Sequence, residues 1–228
     1  MNYILNIETA TTVCSVSLSK NGELLFFKEL NDGFTHAENL HLFIEEAFKE
    51  TGIAAKQLSA IAVSKGPGSY TGLRIGVSTA KGLAYALGIP LISVDTLQLM
   101  ALAAYTQREE DAAYCAMIDA RRMEIYTAVY DKGLKRKTEI EALIVDESSI
   151  KKFSAYPKIY YFGDGMPKCK LLLERQTNSV FIDGIYPSAR HMCSLVYTKY
   201  MNTDFEDLAY FEPFYLKDFM VLKKKTQI

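Results

Sequence analysis

The sequence predicts an α/β protein built from two lobes that share one order of strands and helices. Three short strand patterns open the chain, strand and helix patterns then alternate, and three more strand patterns begin near residue 114. Strands that alternate with helices indicate a sheet covered by helices, and a repeated order indicates a duplicated unit. The length of 228 residues allows two small lobes.

The first lobe is predicted to contain three antiparallel strands followed by alternating helices and strands. Asn21-Gly22 favours the tight turn of a hairpin. Thr35 and Glu38 form a capping box in front of the first helix. The predicted elements, in order, are strands at 4–8, 13–18 and 24–28, a helix at 36–51, a strand at 60–64, a helix at 73–87, a strand at 91–94 and a helix at 97–105.

The second lobe repeats this order with shorter elements. The polar stretch 106–111 separates the lobes, so that residues 1–105 form lobe I and residues 106–228 form lobe II with a C-terminal tail. Asp146 and Ser188 are expected to cap helices. The predicted elements are strands at 114–119, 124–130 and 135–140, a helix at 146–153, a strand at 158–162, a helix at 166–173, a strand at 180–182 and a helix at 188–200.

Each lobe therefore has the order βββ-α-β-α-β-α, which is that of a ribonuclease-H-like lobe. Two such lobes in one chain predict the actin-like (ASKHA) fold, the architecture of actin, sugar kinases and heat-shock chaperones.

The net charge of −1 argues against a free-standing nucleic-acid binder, which would usually be strongly basic. Any RNA contact is therefore expected to be shared with a partner. Apolar residues make up 49% of the chain, which is typical of a globular protein, and no apolar run approaches the roughly 20 residues of a membrane span. The four scattered cysteines form no Cys-x-x-Cys pair, which predicts reduced thiols in the cytoplasm.

A glycine-rich loop between a strand and a helix is the first candidate site. It comprises Gly66, Pro67, Gly68, Ser69 and Gly72. Free backbone N–H groups at such a place can cradle an anion, although no Gly-Lys-Ser/Thr sequence closes the loop as in a P-loop. The simpler interpretation is a tight turn that sets the angle of the next helix, and the sequence leaves both open.

Small residues recur every four positions along the helix after this loop, at Gly72, Gly76, Ala80 and Ala84. They lie on one stripe, although each helical glycine costs about 1 kcal/mol relative to alanine. A stripe without large side chains permits close approach of another backbone. That backbone belongs either to the chain's own sheet or to a helix of another protein, and the spacing does not decide between them.

The loops hold few side chains that point to catalysis. Glu8 follows the first strand, where actin-like ATPases carry an Asp, and the turn after it lacks the glycine that would let a phosphate approach. Asp119, in the matching turn of the second lobe, could be a catalytic acid or a metal ligand, but the favoured interpretation is a cap of that turn or a partner of Arg121. His36 and His41 lie about 140° apart around a helix, which is a poor arrangement for binding a metal.

Several segments together closely resemble the TsaB family. The most specific is the run Gly-Pro-Gly-Ser-Tyr-Thr-Gly-Leu-Arg-Ile-Gly at 66–76, and the others are at 7–11, 35–38, 81–84, 118–121 and 213–217. The resemblance implies an actin-like fold and a role as partner subunit in tRNA threonylcarbamoyladenosine synthesis. It also implies a heterodimer with the catalytic paralogue TsaD. With the ATPase TsaE, that pair transfers threonylcarbamoyl from its adenylate to the adenosine beside the anticodon.

The resemblance assigns the ATP and the metal to the partner subunits, and it implies that tRNA is bound only through the complex. TsaD carries a His-x-x-x-His metal pair after the strand that follows the shared glycine segment, and alignment places Thr96 and Met100 at those positions. Neither side chain replaces an imidazole ligand. We therefore expect an accessory subunit with no bound metal, no cofactor and no activity of its own. The alternatives are an actin-like small-molecule kinase and a peptidase.

The stripe of small residues and the helix that begins at His36 are predicted to form the surface that binds TsaD. Because the two paralogues share these helices, they could meet as a four-helix bundle. The same surface could close a homodimer when the partner is absent. The predicted interface residues are His36, Leu40, Ile44, Gly72, Gly76, Ala80 and Ala84.

Overall fold

Two five-stranded mixed sheets form the framework of the protein. The structure is a computed structural model that describes residues 1–33 and 35–217. The end of the predicted second lobe, residues 218–228, lies outside the described residues.

The first sheet combines an antiparallel meander with two parallel strands. The first three strands pair antiparallel, and the last two run parallel to the first. In the spatial order β3-β2-β1-β4-β5, the strands are β1 (Tyr3–Glu8), β2 (Val13–Lys20), β3 (Glu23–Asn31), β4 (Leu58–Gly66) and β5 (Leu91–Asp95).

The second sheet repeats this topology, which confirms the predicted duplication. Its strands are ordered β10-β9-β6-β7-β8, so that β6 takes the central place that β1 has in the first sheet. The strands are β6 (Ala113–Asp119), β7 (Glu124–Tyr130), β8 (Glu141–Ile144), β9 (Ile159–Phe162) and β10 (Ser179–Ile182).

Five α-helices in the described ranges cover the sheets. Two of them, α1 and α2, lie side by side on one face of the first sheet. No helix of the described part is both long and apolar enough to cross a membrane. The helices are α1 (His36–Thr51), α2 (Tyr70–Leu87), α3 (Thr96–Arg108), α4 (Met166–Leu173) and α5 (Met192–Met201).

The predicted elements of lobe II differ from the structure in two places. The strand expected at 135–140 lies later, as β8, because the Asp131 carboxylate accepts hydrogen bonds from the N–H groups of Gly133 and Lys135 and holds the chain in a turn. The helix expected at 146–153 is a 3₁₀ helix, Ser149–Ala155. Its N-cap is Ser148 rather than the predicted Asp146, although the Asp146 carboxylate accepts from Ser149 N at 2.7 Å.

Two predicted helix caps are not formed. Thr35 has φ −92° and ψ 22° and makes no side-chain capping bond, because a capping residue normally needs an extended backbone to aim its hydroxyl at the first N–H groups. Its carbonyl instead accepts from Glu38 N at 3.2 Å. Ser188 precedes a short 3₁₀ helix, Ala189–His191, and its hydroxyl bonds Glu29 on β3.

One helix from each lobe packs against the sheet of the other lobe. Helix α3 packs against the second sheet, where Met100 and Ala104 share a core with Tyr114. Helix α5 packs against the first sheet, where Met192 and Val196 share a core with Ile4, Ile92 and other residues. The boundary predicted after residue 105 stays a prediction about chain order; it falls inside α3, which packs on the second sheet.

The tail after α5 also returns to lobe I. Glu206 N donates to Leu91 O at 2.9 Å and so adds a bridge to the edge of the first sheet. Phe211 is buried in the first core, and its carbonyl accepts from Lys81 Nζ at 2.7 Å. Most of these tail contacts are with lobe I, although Lys217 near the end of the described tail pairs with Glu124 on β7 of lobe II.

The docking of α5 is expected to contribute strongly to the stability of the whole chain. Met192 is fully buried, whereas Met201 at the other end of α5 is 59% exposed. Replacing Met192 by alanine leaves a cavity and should lower the free energy of unfolding by about 2–5 kcal/mol. The same change at Met201 should alter it by less than about 0.5 kcal/mol. Urea melts of both variants test this, and equal losses would contradict the packing described here.

Candidate functional site

The glycine-rich loop and the β1–β2 hairpin meet at the end of the first sheet. The loop follows β4, and the hairpin follows β1, its parallel neighbour. Ser69 N donates to Ala10 O at 2.6 Å, and a Cβ on Gly68 would lie only 2.1 Å from the same oxygen. The carbonyl of Ala10 thus takes the N–H of Ser69, which an anion in this loop would otherwise use. The structure supports the interpretation of the loop as a tight turn.

The loop also sets the start of α2. Ser69 is its N-cap and accepts a hydrogen bond from Gly72 N at 3.3 Å. Gly66, with φ +116°, is in a backbone conformation that glycine adopts without strain. The bonds made by Ser69 N and Gly72 N use two of the N–H groups that a bound anion would otherwise take.

The stripe of small residues on α2 faces the chain's own hairpin. A Cβ on Gly72 would lie 2.1 Å from Thr9 O, and one on Gly76 would lie 2.2 Å from Thr9 Oγ1. The Thr9 hydroxyl donates to Gly72 O at 2.8 Å, and Ala80 and Ala84 are fully buried. The choice that the spacing left open is settled in favour of the chain's own sheet.

The predicted partner interface stays a prediction, but its residues are not on the surface of the folded chain. All seven are buried within the folded chain, because they form the inner faces of α1 and α2: His36, Leu40, Ile44, Gly72, Gly76, Ala80 and Ala84. His36 Nε2 lies 2.7 Å from Thr11 O, so the ring donates a hydrogen bond to the hairpin. Burial lowers the pKa of this histidine.

Glu8 is a fully buried carboxyl group beneath the hairpin. Its Oε1 accepts from Ala10 N at 2.5 Å, and the buried Ser64 hydroxyl lies close enough to interact with the carboxyl group. Desolvation raises the pKa of Glu8 to about 7, and the charge of Glu29 acts in the same direction. At this position, where actin-like ATPases carry an Asp, the chain buries a carboxyl that is largely protonated below neutral pH.

Ionisation of Glu8 should destabilise the fold. The pKa is higher in the folded state than the value of 4.5 expected after unfolding, so the folded chain binds the proton more tightly and loses stability as pH rises from about 4.5 to about 7. Glu8→Gln removes this loss. Its stability relative to wild type should increase by on the order of 3 kcal/mol across that range.

Chemical denaturation at pH 5 and pH 8 measures this increase. Glu45→Gln, on the exposed side of α1, controls for the chemistry of the substitution. A difference between Glu8→Gln and wild type that does not change with pH would show that Glu8 is ionised throughout.

The matching hairpin of the second lobe is held by Asp119, as predicted for a cap. The carboxylate accepts from Arg121 N at 2.6 Å, and Asp119 N donates to Asp164 Oδ1 at 3.1 Å. The cation that pairs with Asp119 is Lys168 rather than the Arg121 side chain. Gly163 makes a tight turn beside β6, since a Cβ there would lie 2.2 Å from Met117 O.

Thr96 and Met100 lie at the base of α3, and both are fully buried. Met100 Cε packs against Gly163, and Thr96 Oγ1 has no hydrogen-bond partner among the described residues. Within those residues, no group of three His, Cys, Asp or Glu side chains is arranged to hold a metal.

A groove between α2 and the returning tail is a feature that sequence reasoning missed. Its volume is about 440 Å³, and its lining includes Arg74, Ser78, Lys81 and Tyr215. The Arg74 guanidinium lies 4.1 Å from the centre of the Tyr70 ring, and its Nε donates to Tyr215 Oη at 3.3 Å. The two sides are more than a hundred positions apart in the chain, so no local pattern could predict the groove.

A duplicated ribonuclease-H-like lobe with two strand-end hairpins defines a protein of the actin-like class. YeaZ from Pseudomonas aeruginosa has the same architecture: its structure superimposes with a TM-score of 0.79 at 25% identity, covering 95% of this chain and 100% of that one.

Comparison of sequences identifies the family. The model of TsaD, described as tRNA N6-adenosine threonylcarbamoyltransferase, matches residues 34–210. The chain belongs to this family. It is 29% identical to the tRNA threonylcarbamoyladenosine biosynthesis protein TsaB of Haemophilus influenzae, over 97% of this chain and 96% of that protein. It is 35% identical to the TsaB protein of Escherichia coli, over 63% of each.

Proposed function

We propose that this protein is the accessory subunit of the bacterial complex that makes threonylcarbamoyladenosine in tRNA, acting in the cytoplasm. It binds and supports the catalytic paralogue TsaD, which transfers threonylcarbamoyl to the adenosine beside the anticodon, and it has no activity of its own. The names of the relatives from Haemophilus influenzae and Escherichia coli support the pathway.

The contact of Ala10 O with Gly68 and Ser69 N is the observation that carries the accessory role. A phosphate cradled by this loop would have to displace the carbonyl from Ser69 N. At the two positions aligned with the TsaD metal pair, the buried Thr96 and Met100 supply no imidazole. ATP and the metal are therefore assigned to the partner subunits, and TsaE is the expected ATPase of the complex.

Reconstitution tests this assignment directly. All reactions are supplied with threonylcarbamoyl adenylate as the donor. We expect the purified chain to modify no tRNA and to hydrolyse no ATP. We expect TsaD with TsaE to lose modification of an unmodified tRNA transcript when the chain is omitted. Modification is measured by mass spectrometry of the digested tRNA. Turnover of ATP by the chain alone, stimulated by a sugar or another small acceptor, would instead support the kinase alternative.

The surface that binds TsaD is assigned to the outer faces of α1 and α2, opposite the buried stripe. Leu42 on α1 is 50% exposed and Tyr85 on α2 is 81% exposed. One turn before Tyr85 on α2 lies Gly82, where an added Cβ would meet nothing within 4 Å. A glycine inside a helix costs about 1 kcal/mol relative to alanine, and no contact within the described chain requires this one. Close approach of a partner helix would require it.

The two kinds of glycine in α2 should respond oppositely to substitution. Gly82→Leu should leave the isolated chain folded, because its side chain enters solvent. It should weaken binding of TsaD by on the order of 1–3 kcal/mol through overpacking at the interface. Gly76→Ala should lower the melting temperature of the isolated chain, because the new Cβ collides with Thr9 Oγ1 at 2.2 Å.

Calorimetric titration with TsaD and thermal melts of each variant measure these effects. Gly82→Ala is the matched control: it should raise the stability of the isolated chain by about 0.5–1 kcal/mol. Unchanged TsaD affinity in Gly82→Leu would mean that the partner binds another surface. Light scattering of the chain without TsaD tests whether the outer faces close a homodimer.

A further inference from the structure

The hairpins that follow β1 and β6 occupy equivalent places in the two lobes but differ in exposure. In lobe I, Thr9 and Ala10 are completely buried under the glycine-rich loop. In lobe II, the loop after β9 packs against the end of β6 instead, as Gly163 and Gly165 lie against Met117 and Ile118. The tip of the second hairpin, residues 121–123, is left exposed to solvent.

Both arginines at this tip have a left-handed backbone, with φ +69° for Arg121 and +52° for Arg122. For a residue other than glycine this conformation costs about 1–2 kcal/mol. The turn is nevertheless firmly bonded, since Asp119 accepts from Arg121 N at 2.6 Å and Ala120 N donates to Glu124 O at 3.0 Å. The chain therefore holds two adjacent arginines in a defined and unfavourable backbone geometry.

The carboxylates nearest the tip are already paired with lysines. Lys168 on α4 bonds Asp119, and Lys217 in the tail bonds Glu124. Across the part of the chain that the structure describes, neither Arg121 nor Arg122 has an ion-pair or hydrogen-bond partner for its guanidinium. Two arginine charges consequently stand beside each other with no counterion from the described residues.

A polyanion is the ligand that this arrangement fits. The planar guanidinium binds phosphate through two parallel hydrogen bonds and is weakly hydrated, so arginine is favoured in contacts with nucleic-acid backbone. The net charge of −1 provides no broad positive field, so contact with RNA has to come from a local cluster. This agrees with a subunit that binds tRNA weakly alone and adds to a site on its partner.

We propose that Arg121 and Arg122 bind the phosphodiester backbone of the tRNA that the complex modifies. The inference rests on the proposed function, because it assumes that the complex of this chain with TsaD binds tRNA. The contact positions the RNA without reading its sequence, as phosphate contacts do.

The test uses the complex of this chain with TsaD and a fluorescently labelled, unmodified tRNA transcript. Affinity is measured at several salt concentrations for wild type, Arg121→Ala/Arg122→Ala and Arg121→Lys/Arg122→Lys. A matched control, Arg108→Ala/Lys135→Ala, removes two positive charges from other exposed positions. Gel filtration checks that each complex assembles.

The alanine pair should bind tRNA more weakly and should reduce the slope of log affinity against log salt by about 2, one for each phosphate group that an arginine no longer neutralises. The lysine pair should keep most of the slope, because it keeps both charges. The control pair should keep the wild-type slope.

Three results would overturn the proposal. The first is an unchanged affinity and slope in the alanine pair, and the second is an equal reduction in the control pair. The third is failure of the alanine pair to assemble with TsaD while the lysine pair assembles, which would assign the arginines to an acidic protein surface. If the wild-type chain itself formed no complex with TsaD, the proposed function would fail instead, so the two failures are distinguishable.

Discussion

The close contact between α2 and the β1–β2 hairpin is the constraint on which the rest of lobe I depends. At Gly68 and Gly72 a side-chain carbon would lie 2.1 Å from a hairpin carbonyl, well inside any van der Waals contact. Only glycine lets the helix approach this closely. The approach allows the Thr9 hydroxyl to donate to the helix backbone and Ser69 N to donate to Ala10 O. It also buries Glu8 away from water.

Because of this contact, the strand-end hairpins of the two lobes differ in burial and chemistry, although the lobes share a topology. In lobe I the contact fills the end of the sheet with protein atoms and forces a carboxyl into a dry environment, where its pKa rises to about 7. In lobe II, Gly163 and Gly165 pack against the strand β6 itself rather than against the hairpin, so the hairpin tip stays exposed to solvent. A duplicated fold thus has one strand-end hairpin that is structural and one that is exposed enough to bind a ligand.

Periodicity and turn chemistry were enough to predict the architecture, because they are local properties. Nearly all strands and helices, the repeated order and the hairpin at Asn21-Gly22 could be predicted in this way. The strand expected at 135–140 failed because the Asp131 side chain competes for backbone N–H groups. The packing of α3 on the second sheet and of α5 on the first could not be predicted, because the apolar pattern of a helix does not show which sheet it covers.

The spacing of the small residues on α2 was not enough to predict what covers them, for a related reason. Four-residue spacing shows that Gly72, Gly76, Ala80 and Ala84 share a face, but it does not show what covers that face. The space around each glycine distinguishes the two cases: Gly72 and Gly76 lie against Thr9, whereas Gly82 faces open space. Helix α2 thus carries glycines that its own hairpin requires and one, Gly82, that no contact among the described residues requires. The first kind explains how the helix packs in the fold, and the second is the basis of the surface proposed for the partner.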